Sequence, residues 1–233
     1  MIFGFIDPTT DIISMIFGLF LMVREFIVIM TIIFDFGGVL YNMPDPKHVN
    51  KWMKIFGFKH DPEVLEMLAN PNESQLVNDI CLGKISEDVA WRMMHTKWRI
   101  KPETIRRFRN QNSSKRHLNR QLVRFMNELH KDYQLGILSN AGDQSRSLMT
   151  NVFHLDQVVD EIIISAEEGV IKPDVEIYQI AMSRLDSKPE ESLFIDDYGK
   201  NVKAAVDFGM KAIQFKDNKQ AISMIRELLR EEG

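Results

Sequence analysis

An α/β fold, a doubly wound parallel Rossmann-like sheet with an inserted helical segment, is what these 233 residues predict. Three observations carry that reading. Short β-branched or apolar runs recur along the chain: "TIIF" (31–34), "LGILS" (135–139), "EIIIS" (161–165), "SLFID" (192–196) and "KAIQF" (211–215). Stretches of helical period separate the later runs, and such alternation argues for parallel strands covered on both faces. Polar residues able to do chemistry collect just after the runs, where the crevice of a parallel sheet lies.

The elements follow in order. The first strand, 31–34, runs into Asp35 and a glycine pair. From Asn42 to about His117 the alternation stops. That segment carries helical patches, "PKHVNKWMKIFGF", "DPEVLEMLAN" and "SEDVAWRMMHTKWRI", broken at Asp61-Pro62, Asn70-Pro71, Gly83 and Lys101-Pro102. Helices are then expected over 117–131, 144–153, 174–185, 199–208 and 218–230, between the remaining strands. The connections should be right-handed crossovers. This divides the chain into a core of residues 30–43 and 118–233, a helical cap domain of residues 44–117, and a hydrophobic extension of residues 1–29.

Bulk properties narrow the class. Apolar residues make up 45% and charged residues 27%, the balance of a globular protein. Net charge is −4 with no basic block, so charge suggests no nucleic-acid partner. The lone cysteine, Cys81, excludes an internal disulfide and fits a reducing, cytoplasmic setting. The first thirty residues hold one Arg and no Lys, and the run from Ile12 to Val23 is short for a membrane span. A basic n-region and a small-residue cleavage site are lacking, which argues against a secretory signal. Three readings stay open: a membrane anchor over residues 12–30, a helix packed on the domain, or upstream sequence ahead of a start at Met30.

Four polar clusters share one order. Asp35 lies in "FDFGGVL", Ser139 in "ILSNAG", Lys172 in "EEGVIKPDVEIYQIA", and Asp196-Asp197 in "FIDDYGKNVKAAVDFGM". As a set they resemble the haloacid-dehalogenase superfamily of hydrolases, in the branch with a helical cap after the first strand. "KPDVEIY" and "FIDDYGKNV" are similar to sugar-phosphate phosphatases and to the N-terminal domains of soluble epoxide hydrolases. The resemblance implies a Mg²⁺-dependent phosphatase for a small phosphorylated metabolite, acting through an aspartyl-phosphate. It implies Asp35 as nucleophile, Lys172 as the positive charge and Ser139 as a hydroxyl donor, with main-chain groups around Phe36, Gly37, Asn140 and Ala141 cradling phosphate. The implied cation ligands are Asp35, the Gly37 carbonyl and Asp197, with Asp196 orienting a water or Lys172. Asn201 would cap or position the last motif. A monomer or homodimer fits this picture.

One position departs from the pattern. Phosphatases of this superfamily usually carry Asp-x-Asp, the second carboxylate serving as acid and base. Here Gly37 occupies that position. General acid–base help is worth roughly 10²–10⁴-fold. Three outcomes are open: a leaving group that needs no acid, a substitute such as Asp45 or His48, or a ligand-binding protein without turnover. Dehalogenation is the competing chemistry, yet dehalogenases typically carry tyrosine at the Gly37 position and lose the paired acids kept here. Within the cap, Trp91, Arg92, His95, Trp98 and Arg99 share one helical stretch; Arg92 and Arg99 could meet a substrate anion or stay solvated, while the tryptophans read as packing residues. Arg106, Arg107 and Arg109 read as a charged helix face.

Overall fold

A computed structural model describes residues 28–42, 73–112 and 117–230. Five strands form one sheet: β1 (Thr31–Phe34), β2 (Gln134–Ser139), β3 (Glu161–Ile164), β4 (Ser192–Asp196) and β5 (Lys211–Gln214). Their order is β3-β2-β1-β4-β5 and every pairing is parallel. The chain steps outward from β1 to one edge, then returns to its other side, so the topological switch falls at the end of β1.

Strand alternation builds two cores. Ile32, Phe34, Leu135, Ile137, Ile162, Ile164, Leu193 and Ile195 pack on one face. There they meet Leu122, Phe125 and Met126 of helix α4 (Arg120–Leu129) and Ile225 of α9 (Asn218–Arg230). Ile33, Leu138, Ile163 and Phe194 point to the other face. They meet Ile177, Tyr178 and Ala181 of α7 (Val175–Arg184) and Ala205 of α8 (Gly199–Phe208). Burial of each such side chain is worth about 1.5–3 kcal/mol, which fixes the register. Gly136 lies under α7: a Cβ there would come within 2.9 Å of Leu185 Cδ1.

Between β1 and α4 the described residues form three helices, α1 (Gln75–Cys81), α2 (Glu87–Trp98) and α3 (Pro102–Asn112). Ser86 caps α2, its side chain accepting from the Val89 N–H. Helix α1 is an element that the sequence pattern did not announce. The expected patches over 46–58 and 61–70 lie outside the described residues, as do Asp45, His48 and residues 1–27. The expected helix at 144–153 is instead a short turn, α5 (Ser145–Ser147), that widens into a π-helix over Leu148–Val152. After β3 a further short helix, α6 (Ser165–Glu168), fills part of what read as loop. Among the described residues no helix is long and apolar enough to cross a membrane.

Candidate functional site

The register of the sheet assembles the site. Phe34 pairs with Ile195, so the next residues, Asp35 and Asp196, leave neighbouring strands side by side. Asp35 stays attached to the sheet through its N–H, which donates to the Ile195 carbonyl at 2.8 Å. Lys172, on the loop after β3, reaches between the two carboxylates. Its ammonium donates to Asp35 Oδ1 at 2.7 Å, to Asp196 Oδ2 at 2.7 Å and to the Leu138 carbonyl at 2.8 Å. All three of its donors are thereby used. Asp35, Lys172 and Asp196 are buried. Asp197, at the rim, joins Asp35 and Asp196 in a group in which one carboxylate oxygen from each lies within 4.8 Å of the others.

Electrostatics follow from that crowding. Burial pushes the Asp35 carboxyl up to about 7, against the pull of Lys172, and Asp196 adds to the rise. Burial, with Asp196 next, also raises Asp197. Burial alone would lower the Lys172 ammonium, but Asp35 and Asp196 more than offset it and hold it above its ordinary value. Two buried carboxylates share one ammonium, with Asp197 exposed beside them. Removing such ions from water costs several kcal/mol each unless the charges are compensated.

Other residues hold this centre in place. The Tyr198 N–H donates to Asp196 Oδ1 at 2.8 Å, and Asn201 Nδ2 donates to Asp196 Oδ2 at 3.0 Å. Tyr178 OH supports that asparagine by donating to its carbonyl at 3.0 Å. The Asn140 amide clasps the main chain of Lys172: Nδ2 donates to the Lys172 carbonyl, and the Lys172 N–H donates to Oδ1, each at 2.8 Å. The Lys172-Pro173 peptide is cis. The Ala141 N–H donates to Ser165 Oγ at 3.0 Å, so it is engaged within the fold. Ser139 is buried at the end of β2.

The turn after β1 is tight. The Leu40 and Tyr41 N–H groups both donate to the Phe36 carbonyl, and the Gly38 N–H donates to the Tyr41 carbonyl. The Gly37 carbonyl and the Phe36 and Gly37 N–H groups stay outside this ladder. Phe36 itself packs on Tyr41 and Phe153. Gly38 has φ +80°, and a Cβ on it would strike Asp197 Oδ2 at 2.1 Å. Only glycine lets the turn and that carboxylate coexist.

The donor set fits a hard divalent cation: carboxylate oxygens from two loops, and no soft ligand. Asn201 Oδ1, whose own amide group binds Asp196, is a buried side-chain acceptor with no partner among the described residues. An orphaned acceptor beside an acid cluster suits a hydrated cation better than a dry core.

Of the residues anticipated from sequence, the fold brings together Asp35, Lys172, Asp196 and Asp197, and it ties Asn140 and Asn201 to them. Arg92, Arg99, Arg106 and Arg107 are exposed on the inserted helices. Arg99 serves as the left-handed C-cap of α2, and His95 Nδ1 bonds the Ile100 carbonyl. Sequence reasoning passed over Gly38, Ser165 and the Leu138 carbonyl. Only the glycine pair gave a hint, and only of Gly38.

Comparison with known proteins agrees with this fold. Residues 32–215 match the family described as haloacid dehalogenase-like hydrolase. The chain is 36% identical over 87 residues to mouse bifunctional epoxide hydrolase 2, which spans 37% of this chain and 16% of that protein. It is 36% identical over 70 residues to a sesquiterpene phosphatase of Aspergillus oryzae, spanning 30% of this chain and 36% of that one. The chain thus spans only a minor part of these curated relatives. A HAD-like hydrolase structure from Porphyromonas gingivalis superposes with TM-score 0.72 at 26% identity, over 87% of this chain and 98% of the other. A HAD family enzyme of Bacteroides thetaiotaomicron, solved with magnesium and inorganic phosphate, shares the fold with TM-score 0.68 at 19% identity, over 83% and 98% of the two chains.

Proposed function

Since this chain belongs to the haloacid dehalogenase-like hydrolases, we propose that it is a Mg²⁺-dependent phosphatase of small phosphorylated metabolites. The observation that carries the reading is the Lys172 ammonium shared by Asp35 and Asp196, with Asp197 as a third carboxylate in the same cluster.

In this reading an Asp35 carboxylate oxygen attacks phosphorus. The bond from phosphorus to the leaving oxygen breaks, and the electron pair departs with that oxygen. The aspartyl-phosphate is then cleaved by water, which returns the carboxylate and releases phosphate. Lys172 keeps Asp35 oriented and offsets charge. Ser139, with main-chain N–H groups of Phe36, Gly37 and Asn140, would receive the phosphoryl oxygens. Asp35, Asp197 and the Gly37 carbonyl would hold the cation, and Asp196 would orient Lys172. When bound, the cation supplies charge neutralisation for the phosphoryl group. The inserted helices would act as a cap that shields the first step from water.

Retention of both Asp196 and Asp197 favours phosphorus over carbon as the electrophile, because attack at carbon needs no cation site. Gly37 favours leaving groups that need no proton, such as acyl or anomeric phosphates.

The test is phosphate release across sugar, acyl and nucleotide phosphates, with Mg²⁺, with EDTA, and with Asp35→Asn. Turnover should require the cation and should fall by on the order of 10³-fold or more in the variant. Turnover that survives Asp35→Asn, or chloride release from 2-chloroacids in EDTA, would overturn the proposal.

A further inference from the structure

The inserted segment packs on the core where the turn at Gly83 lies against Ala166, and it also makes hydrogen bonds to two core loops that differ in kind. At the first, Glu73 Oε1 accepts from Lys200 Nζ at 2.7 Å and from Tyr198 OH at 3.3 Å. Both charged side chains are exposed, and contacts of that sort contribute little.

The second contact is reciprocal. The N–H of Glu87, the first residue of α2, donates to Asp143 Oδ1 at 2.9 Å. The Glu87 side chain returns the favour, its Oε1 accepting the Gln144 N–H at 3.3 Å. The Gln144 amide then donates to Asp88 Oδ1 at 2.9 Å. Space between the two segments is closed. A Cβ on Gly142 would meet Glu87 Oε1 at 2.6 Å, Glu87 Cγ at 2.8 Å and Ile80 Cγ2 at 2.8 Å. Glycine at 142 is therefore what lets the Glu87 side chain lie across the loop.

That loop is the continuation of the phosphate-facing one. Ser139, Asn140 and Ala141 run directly into Gly142, Asp143 and Gln144. The near part is fixed to the core, Asn140 by the Lys172 main chain and Ala141 by Ser165. The far part is gripped from the inserted helices by Glu87 and Asp88. A cradle pinned at both ends presents its donors in one geometry, which is where positioning gains its effect.

We propose that Glu87 is a positioning residue: by gripping Gln144 across Gly142, it sets the Ser139–Asn140 cradle for phosphate. The cradle is then complete only while the inserted helices are docked. This rests on the phosphatase reading, since it assigns phosphate to that loop. The cation lies outside its reach, because Asp35 and Asp197 belong to other loops.

Calorimetric titration separates these effects. The full chain, Glu87→Ala and Glu87→Gln are each titrated with Mg²⁺ alone, then with inorganic phosphate at saturating Mg²⁺. Glu87→Ala should weaken phosphate binding about tenfold, the size of one net hydrogen bond, with Mg²⁺ affinity within about twofold of the unmutated chain. Glu87→Gln retains an acceptor oxygen and should recover phosphate binding to within about threefold. Three results would overturn the assignment: unchanged phosphate affinity in Glu87→Ala, a Glu87→Gln as impaired as the alanine, or Mg²⁺ affinity falling in step with phosphate. An unmutated chain that binds Mg²⁺ but no phosphate would instead bring down the phosphatase reading, and this assignment with it.

Discussion

Gly37 is the residue at which chemistry is missing and space is not. A Cβ there would meet no atom within 4 Å, and the backbone is outside the left-handed region. Gly37→Asp should therefore fold unchanged and place a carboxyl where an acid is lacking. Its effect should depend on the leaving group: kcat/KM for alkyl phosphates rising by about 10²-fold, and for acetyl phosphate changing only a few-fold. An equal change for both would show that protonation does not limit the native reaction. Cys81 makes the opposite case, a reactive group kept inert. Burial, then the Glu87 carboxylate, pushes its thiol up to about 11, with Lys172 pulling weakly the other way. Since the thiolate is the reactive form, a raised pKa means that reactivity is absent near neutrality and appears only as pH approaches the raised value. Iodoacetamide labelling at pH 8 should run about 10²-fold slower than at an exposed cysteine and climb about tenfold per pH unit. Rapid labelling at pH 8 would contradict the buried placement. Asp35, Lys172 and the Asp196–Asp197 pair could be read from sequence because each follows an apolar run at the sheet's carboxyl edge. The tasks of Asn140, Ser165 and Glu87 could not be, because they depend on partners 32, 24 and 57 residues away.

At the scale of elements, periodicity carried most of the outcome. Strands β1 and β4 and helices α8 and α9 fall on the spans expected, since their patterns are long or bounded by glycine and polar punctuation. Helix α4 starts later than anticipated because Asn119 caps it, its side chain accepting from the Leu122 N–H. The segment after Gln144 has helical period but departs from an α-helix. Thr150 Oγ1 donates to the Arg146 carbonyl at 2.9 Å, and the Phe153 N–H reaches back to Leu148. A hydroxyl competing for main-chain acceptors is invisible to an apolar count. Lys172 belongs to this scale too, since its ammonium joins the ends of β1, β2 and β4 from the loop after β3. Lys172→Met would leave Asp35 and Asp196 buried without their cation. We expect a loss of about 3–5 kcal/mol in urea unfolding, and a larger rise in Tm on adding Mg²⁺ than in the unmutated chain. A variant as stable as the parent would mean that the carboxylates are not charged in the folded state.

Seen whole, the molecule places its ionic centre at the carboxyl edge of β1 and β4, where the two halves of the sheet meet. The apolar layers on the two faces make the centre rigid, and the loops at the carboxyl edge make it accessible. The arrangement has a cost in time. β1 sits in the middle of the sheet, yet it pairs with residues that begin at Gln134 on one side and Ser192 on the other. At ribosomal speeds of 5–20 residues per second, the first strand leaves the tunnel on the order of ten seconds before its second neighbour exists. Throughout that interval, the three apolar residues Ile32, Ile33 and Phe34, which face both sides, have no sheet to join. Any binding of holdase chaperones to the nascent chain should therefore end with the synthesis of β4 rather than with the completion of the inserted helices.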